Sequence, residues 1–163
     1  MTYTEILAKH SLPPPSTQLI WTAIVDVADR QDLGPSPAGH RYIVPILGGR
    51  FYGGPDIEGL NGMILAGGAD RQLLRPDGIK ELDALYEMKT DSGIVIVVHN
   101  KVIVDDTRKP DRYAMSTIRA TVPDGSFAWL NRRLLIGTLQ SARPDRQAVI
   151  IGAWVADVDT AVS

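Results

Sequence analysis

Arg75-Pro-Asp-Gly-Ile-Lys-Glu-Leu-Asp-Ala-Leu-Tyr-Glu-Met-Lys-Thr90, continued by Asp91-Ser-Gly-Ile-Val-Ile-Val-Val-His-Asn-Lys-Val-Ile-Val104, is the stretch that decides the fold class. Two short turns, Pro76-Asp77-Gly78 and Asp91-Ser92-Gly93, punctuate it, and in each the glycine supplies the positive φ that a tight hairpin needs. Between them Leu82, Ala84, Tyr86 and Met88 alternate with Glu81, Asp83, Leu85 and Glu87, a period of two that suits a half-buried strand and no helix. Asp70–Arg75, Ile79–Thr90 and Ile94–Val104 therefore read as three strands of a meander. The middle strand turns its Tyr86 hydroxyl inward, where it needs a partner. Ile94–Val102 is apolar on both faces until His99 and Asn100, so it is expected to be covered on both sides, on one of them by a subunit partner.

The same punctuation extends in both directions. Upstream, Thr17–Asp26 places Leu19, Trp21, Ala23 and Val25 on one face and Ile20 and Ile24 on the other. A loop is expected over Gln31–Gly39, then apolar runs at Arg41–Leu47 and Ile57–Leu65, and a break at Gly67-Gly68 marks a bulge or sharp bend. Downstream lie Asp105–Asp111, a charged loop and candidate lid, then strands at Arg112–Val122, Phe127–Thr138 and Gln147–Asp157. Residues 1–16 form a lead-in in which Tyr3, Ile6, Leu7 and His10 can share one face of a short helix, ended by Pro13-Pro14-Pro15. Residues 17–163 form one all-β domain: a single antiparallel up-and-down β-barrel of nine to ten strands, lipocalin- or streptavidin-like in general shape, whose closure removes exposed edges.

Composition narrows the function classes. The chain has 163 residues, 17 Lys plus Arg against 19 Asp plus Glu, and a formal charge of −2, without the clustered basic excess of a nucleic-acid surface. Zero Cys rules out disulfides, iron–sulfur clusters and cysteine nucleophiles, and three His leave little for a metal site. No apolar run approaches the roughly 20 residues of a membrane-spanning helix. The N-terminus lacks a basic region followed by an apolar core, so a signal peptide is not expected and a cytoplasmic location is. Phosphate loops, GxGxxG, HExxH, GxSxG and EF-hand spacings are all absent, so neither cofactor nor metal is implied.

Chemistry is then left to polar residues on the barrel's inner face. Asp70 follows the Gly67-Gly68 break, where backbone can approach a ligand through Gly68 and where a desolvated carboxylate has a raised pKa suited to general acid or base work. Gln72 lies two residues on. Trp129-Leu130-Asn131, read as strand, offers an aromatic wall and an amide on one face. Each residue also has a structural role available: turn capping for Asp70, core packing for Tyr86, plugging a barrel end for Trp129, satisfying irregular backbone for Asn131, and an ion-paired outer face with Arg75 or Lys80 for Asp83.

Taken as a series, the motifs resemble a family of small bacterial and fungal proteins, the domain-of-unknown-function family 3237, also called uncharacterised protein family 0311. The carrying residues are Asp32-Leu-Gly-Pro35, Arg41-Tyr-Ile-Val-Pro-Ile-Leu-Gly-Gly49 with Phe51 and Gly54, Gly67-Gly-Ala-Asp70 with Gln72, Asp77-Gly78, Leu82-Asp83-Ala84 with Tyr86, Thr90-Asp-Ser-Gly93, Tyr113, and Trp129-Leu-Asn131 with Gly137. The resemblance runs from about Thr17 to Asp157. It implies a compact antiparallel β-barrel that binds or acts on small organic molecules, with repeated polar positions at Asp70, Asp83, Tyr86, Trp129 and Asn131. The family often has Trp where this chain has Arg71, and Tyr-Phe-Arg where it has Tyr113-Ala114-Met115, which implies a less cationic pocket and a poorer fit to a carboxylate substrate.

The leading expectation is an enzyme that moves a proton on an aromatic or cyclic carbonyl compound as an isomerase, cyclase or lyase. Asp70 is its base or acid, Tyr86 or Asn131 its enolate stabiliser and Trp129 one wall, with Asp83, Gln72 and Gly68 also binding ligand. The alternatives are a non-catalytic carrier of an apolar ligand and a structural homodimer with a filled barrel.

Overall fold

In the computed structural model, which describes residues 1–158, ten antiparallel strands form one sheet in which an eight-strand barrel closes and two further strands join it. They are β1 (Pro15–Val27), β2 (Gln31–Ser36), β3 (Gly39–Gly53), β4 (Gly62–Ile64), β5 (Ala69–Leu74), β6 (Lys80–Thr90), β7 (Val95–Asp105), β8 (Tyr113–Thr121), β9 (Leu134–Ser141) and β10 (Ala148–Val158). From β6 to β10 each strand pairs with the next, β10 pairs with β1, and β1 pairs with β3, which closes the ring. The short β4 and β5 share one position between β3 and β6, and β2 hangs on the edge of β3. The last five residues of the expected 17–163 domain lie outside the described residues.

Three local readings are corrected. Gln31–Ser36 is a strand rather than a loop; Pro35 is compatible with it because β2 is an edge strand, and a register shift between Asp32 and Gly34 absorbs the turn-like glycine. A bulge between Leu19 and Trp21 reverses the alternation of β1, so that Ile20 joins Trp21 in the core instead of lying opposite it. Ala128–Arg132 is a 3₁₀ turn and not part of a strand. The lead-in does contain a helix, α1 (Tyr3–Lys9), opened by a capping box in which Thr2 and Glu5 bond each other's backbone N–H, but none of its residues is buried.

Inner positions follow the period of two. On β6 they are Leu82, Ala84, Tyr86 and Met88, and on β7 Ile96, Val98, Asn100, Val102 and Val104. The outer face of β7 is not covered by this chain: Val95 and Ile103 are 41% and 52% exposed. Closure of the ring depends on backbone proximity, since a Cβ on Gly49 (φ 138°) would lie 2.0 Å from the Ile24 carbonyl oxygen on β1. The core is uneven. One half is plugged by Trp21, Phe51, Leu60, Met88, Ile96, Phe127 and Leu130, all buried, with Trp129 packed against them. The other half is open. Among the described residues no helix is long and apolar enough to cross a membrane.

Candidate functional site

The open half holds a cavity of about 580 Å³ bounded by β1, β3, β5, β6, β7, β9 and β10. Its walls are largely aliphatic, from Val25, Val44, Ile46, Leu82, Val102 and Ile151; Asp70, Gln72, Tyr86 and Asn100 are polar members on β5, β6 and β7, and further polar and charged residues line it nearer the mouth. Strand register brings these together. One row of inward residues runs Val44, Asp70, Ala84, Asn100, Ile118 across β3, β5, β6, β7 and β8. Gln72 opposes Leu82 one step along on the mouth side, and Tyr86 is one step along on the plugged side. Ala84 thus stands between Asp70 and Asn100, whose backbones are two strand spacings apart, roughly 10 Å. Its small side chain leaves the space between them clear.

The electrostatics of this row are unusual for a barrel interior. Asp70 accepts a hydrogen bond from Gln72 Nε2 at 2.8 Å and another from the Asp83 backbone N–H at 3.0 Å. Burial pushes its carboxyl above the usual range, the two hydrogen bonds pull the other way, and the charge of Asp83 adds to the upward push; the net direction is up. Tyr86 is 1% exposed, and burial, reinforced by the negative charge of Asp70, holds its phenol far above the ordinary range, so that it is a neutral donor at all working pH values. Asn100 is also 1% exposed, and its Oδ1 is buried without a hydrogen-bond partner. A buried orphan of this kind is costly, about 1–3 kcal/mol, unless a ligand or water completes it.

Of the residues anticipated from sequence, Asp70, Gln72 and Tyr86 line the cavity, and Gly68, Asp83, Trp129 and Asn131 do not. Gly68 is a close-approach residue, because a Cβ there would lie 2.6 Å from both the Leu85 carbonyl oxygen and the Tyr86 Cβ, so its role is to let the bend press on β6. Asp83 faces outward and pairs with His99 instead of Arg75 or Lys80; only its backbone N–H serves the site, through Asp70. Trp129 packs at the plugged end. The Asn131 amide is fully engaged there, its Oδ1 accepting from Val122 N–H and its Nδ2 donating to Val122 C=O, both at 2.8 Å. Asn100 was missed, although it shares its parity with Ile96 and Val98 and is the first polar residue on that inner face. Among the described residues, two more buried side-chain atoms lack a partner, Trp21 Nε1 in the plugged half and Ser116 Oγ on β8, the latter admitted by Gly137 opposite.

The mouth is formed by charged residues from separate segments: Arg30 after β1, Lys80 at the start of β6, Asp106 and Arg112 in the β7–β8 connection and Arg143 in the β9–β10 connection. The cationic deficit implied by Met115 does not arise, since Met115 opposes Ile103 on the outer surface, where an arginine would not enter the cavity. Among the described residues no three His, Cys, Asp or Glu side chains cluster to hold a metal ion.

A family model described as "Protein of unknown function (DUF3237)" matches residues 15–156. A UPF0311 protein of Rhodopseudomonas palustris is 32% identical over 139 residues, covering 77% of this chain and 88% of the relative. A crystal structure from Rhodopseudomonas palustris, described as a conserved protein of unknown function, superposes with a TM-score of 0.78 at 28% identity over 90% of this chain and all of that one. A β-barrel-like protein of Acinetobacter baumannii gives 0.78 at 28% identity, covering 91% and 99%. A structure described as an enzyme from Penicillium herquei gives 0.69 at 19% identity over 91% and 99%, a likeness of fold alone.

Proposed function

The chain belongs to the DUF3237 (UPF0311) family, and on that premise we propose that it is a cofactor-independent enzyme moving a proton on a small aromatic or cyclic carbonyl compound inside the barrel. The observation carrying this reading is the convergence of Asp70, Tyr86 and Asn100 on one mostly aliphatic cavity. The Asp70 carboxylate takes a proton from the carbon next to the carbonyl, and the electron pair passes to the carbonyl oxygen. That oxygen accepts hydrogen bonds from the Tyr86 hydroxyl and the Asn100 amide. Return of the proton at another carbon isomerises the compound; loss or attack of a group at the adjacent carbon makes the step a lyase or cyclase reaction. The raised pKa of Asp70 strengthens it as a base, and its aliphatic surroundings strengthen both oxyanion hydrogen bonds. Asn100 takes the part that Asn131 was expected to play. The Penicillium herquei neighbour is described as an enzyme, so catalysis occurs on a barrel of this shape.

The test is solvent deuterium exchange, followed by proton NMR, at the α-carbons of a panel of aryl and cyclic ketones. Wild-type protein is expected to accelerate exchange in at least one of them, and Asp70→Asn to slow it by about 10²- to 10⁴-fold. Unfolding does not mimic that loss. A carboxyl whose folded pKa is raised opposes folding once ionised; this penalty is absent below the unfolded-chain value of about 3.9 and builds as pH rises. Asp70→Asn is therefore expected to be at least as stable as wild type at pH 7 and to match it at pH 3 by chemical denaturation. No exchange by the wild type, or equal exchange by the variant, overturns the reading. The aliphatic walls also favour a carrier, which would return a bound ligand unchanged when extracts are incubated and analysed by mass spectrometry.

A further inference from the structure

We infer that the substrate carries an anionic group, held at the cavity mouth by Arg30, Lys80, Arg112 and Arg143, while its apolar body reaches the Asp70–Asn100 row; this rests on the proton-transfer reading of the same cavity. The charge balance of the lining carries the argument. Four cations face two carboxylates, Asp70 and Asp106, whereas the whole chain has a net charge of −2. The local excess is thus opposite in sign to that of the molecule. Among the described residues none of the four cations takes part in an ion pair, although the arginines Arg50, Arg75 and Arg146 elsewhere each pair with an aspartate. Arg30 is pre-placed, its guanidinium 3.8 Å above the Tyr42 ring, with Asp32 as the nearby carboxylate that feels its charge. Lys80 is on the inner face of β6, opposite Val104, so its amine projects at the rim rather than away from the barrel.

Depth supplies the second half of the argument. The unpartnered Asn100 Oδ1 and the neutral Tyr86 phenol lie beneath the rim, with aliphatic walls between. A ligand that satisfies both levels is amphiphilic, with an inner end that carries a carbonyl to accept from the Tyr86 hydroxyl and a hydroxyl or N–H to donate to Asn100 Oδ1, a ring or short apolar body, and a carboxylate or phosphate at the mouth. Arginine forks bind either group bidentately, and a low-dielectric wall beneath them focuses the attraction.

Three probes that share one ring system separate these terms: 1-naphthoate, 1-naphthyl phosphate and neutral 1-naphthamide, titrated calorimetrically into the full chain. At low ionic strength, about 0.01 M, the naphthoate or the phosphate is expected to bind about tenfold tighter than the amide, and whichever anion is the tighter identifies the group. The preference is expected to collapse to within about twofold near 1 M salt, where charges are screened beyond about 3 Å. It is expected to collapse likewise in an Arg112→Gln, Arg143→Gln double variant, with the naphthamide affinity unchanged. Equal binding of all three, binding of none, or a preference that survives both salt and the double variant overturns the inference. None of the probes turns over, so a failure here leaves the deuterium-exchange assay standing, and a failure of that assay leaves this preference standing.

Discussion

Asn100 is the residue at which stability and function are most plainly opposed. It is 1% exposed, it lies between Val98 and Val102 on an inner face, and its Oδ1 has no partner. Nothing in the packing of β7 calls for an amide there; an aliphatic side chain of similar volume fits the row better. Asn100→Leu is therefore expected to raise the unfolding free energy by about 1–2 kcal/mol, the cost of the unsatisfied group, while abolishing any catalysed deuterium exchange. A denaturation curve and the exchange assay check the two halves. A destabilised Leu variant would mean that water or backbone already satisfies the amide. Asp70 shows the converse case, a carboxylate supported from two sides by Gln72 and the Asp83 N–H but kept half-buried, so that its proton is held more tightly than in water.

At the scale of the element, the 3₁₀ turn Ala128–Arg132 explains why Trp129 and Asn131 parted from the site. Phe127 and Leu130 are buried three residues apart, a spacing that a tight helical turn serves and a strand does not, and this directs both side chains into the plugged end. Asn131 then closes the connection by bonding both backbone groups of Val122. Asn131→Ala is expected to cost about 1–3 kcal/mol of stability and to leave naphthoate affinity within about twofold of wild type. A large loss of affinity at unchanged stability would return Asn131 to the binding site. The β5–β6–β7 meander was legible because each turn declares itself with Gly and each strand alternates cleanly. Gln31–Ser36 was not, because an edge strand pairs on one side only and tolerates Pro35 and Gly34.

At the scale of the whole molecule, one seam makes the sheet a barrel. β1 and β3 meet where Gly49 presses on Ile24, and any side chain there must push the strands apart. Gly49→Ala is expected to cost about 3 kcal/mol or more, or to leave the protein unfolded, whereas Gly34→Ala, with open space around it, costs only the backbone strain of about 1–2 kcal/mol. Thermal melts of the two variants compare them directly, and equal melting points would contradict a close-packed seam. Sequence by itself determined the all-β class, the hairpin sites and the buried face of β6 that carries Tyr86, and it marked Asp70 and Gln72 as candidates beside the Gly67-Gly68 break, because alternation and turn chemistry act over a few residues and are written locally. Tertiary structure alone decided that Asn100 rather than Asn131 joins them, that one half of the barrel is plugged and the other open, and that Arg30, Lys80, Arg112 and Arg143 share one rim. Those facts depend on register between strands and on the closure of the ring, which bring together residues more than a hundred positions apart.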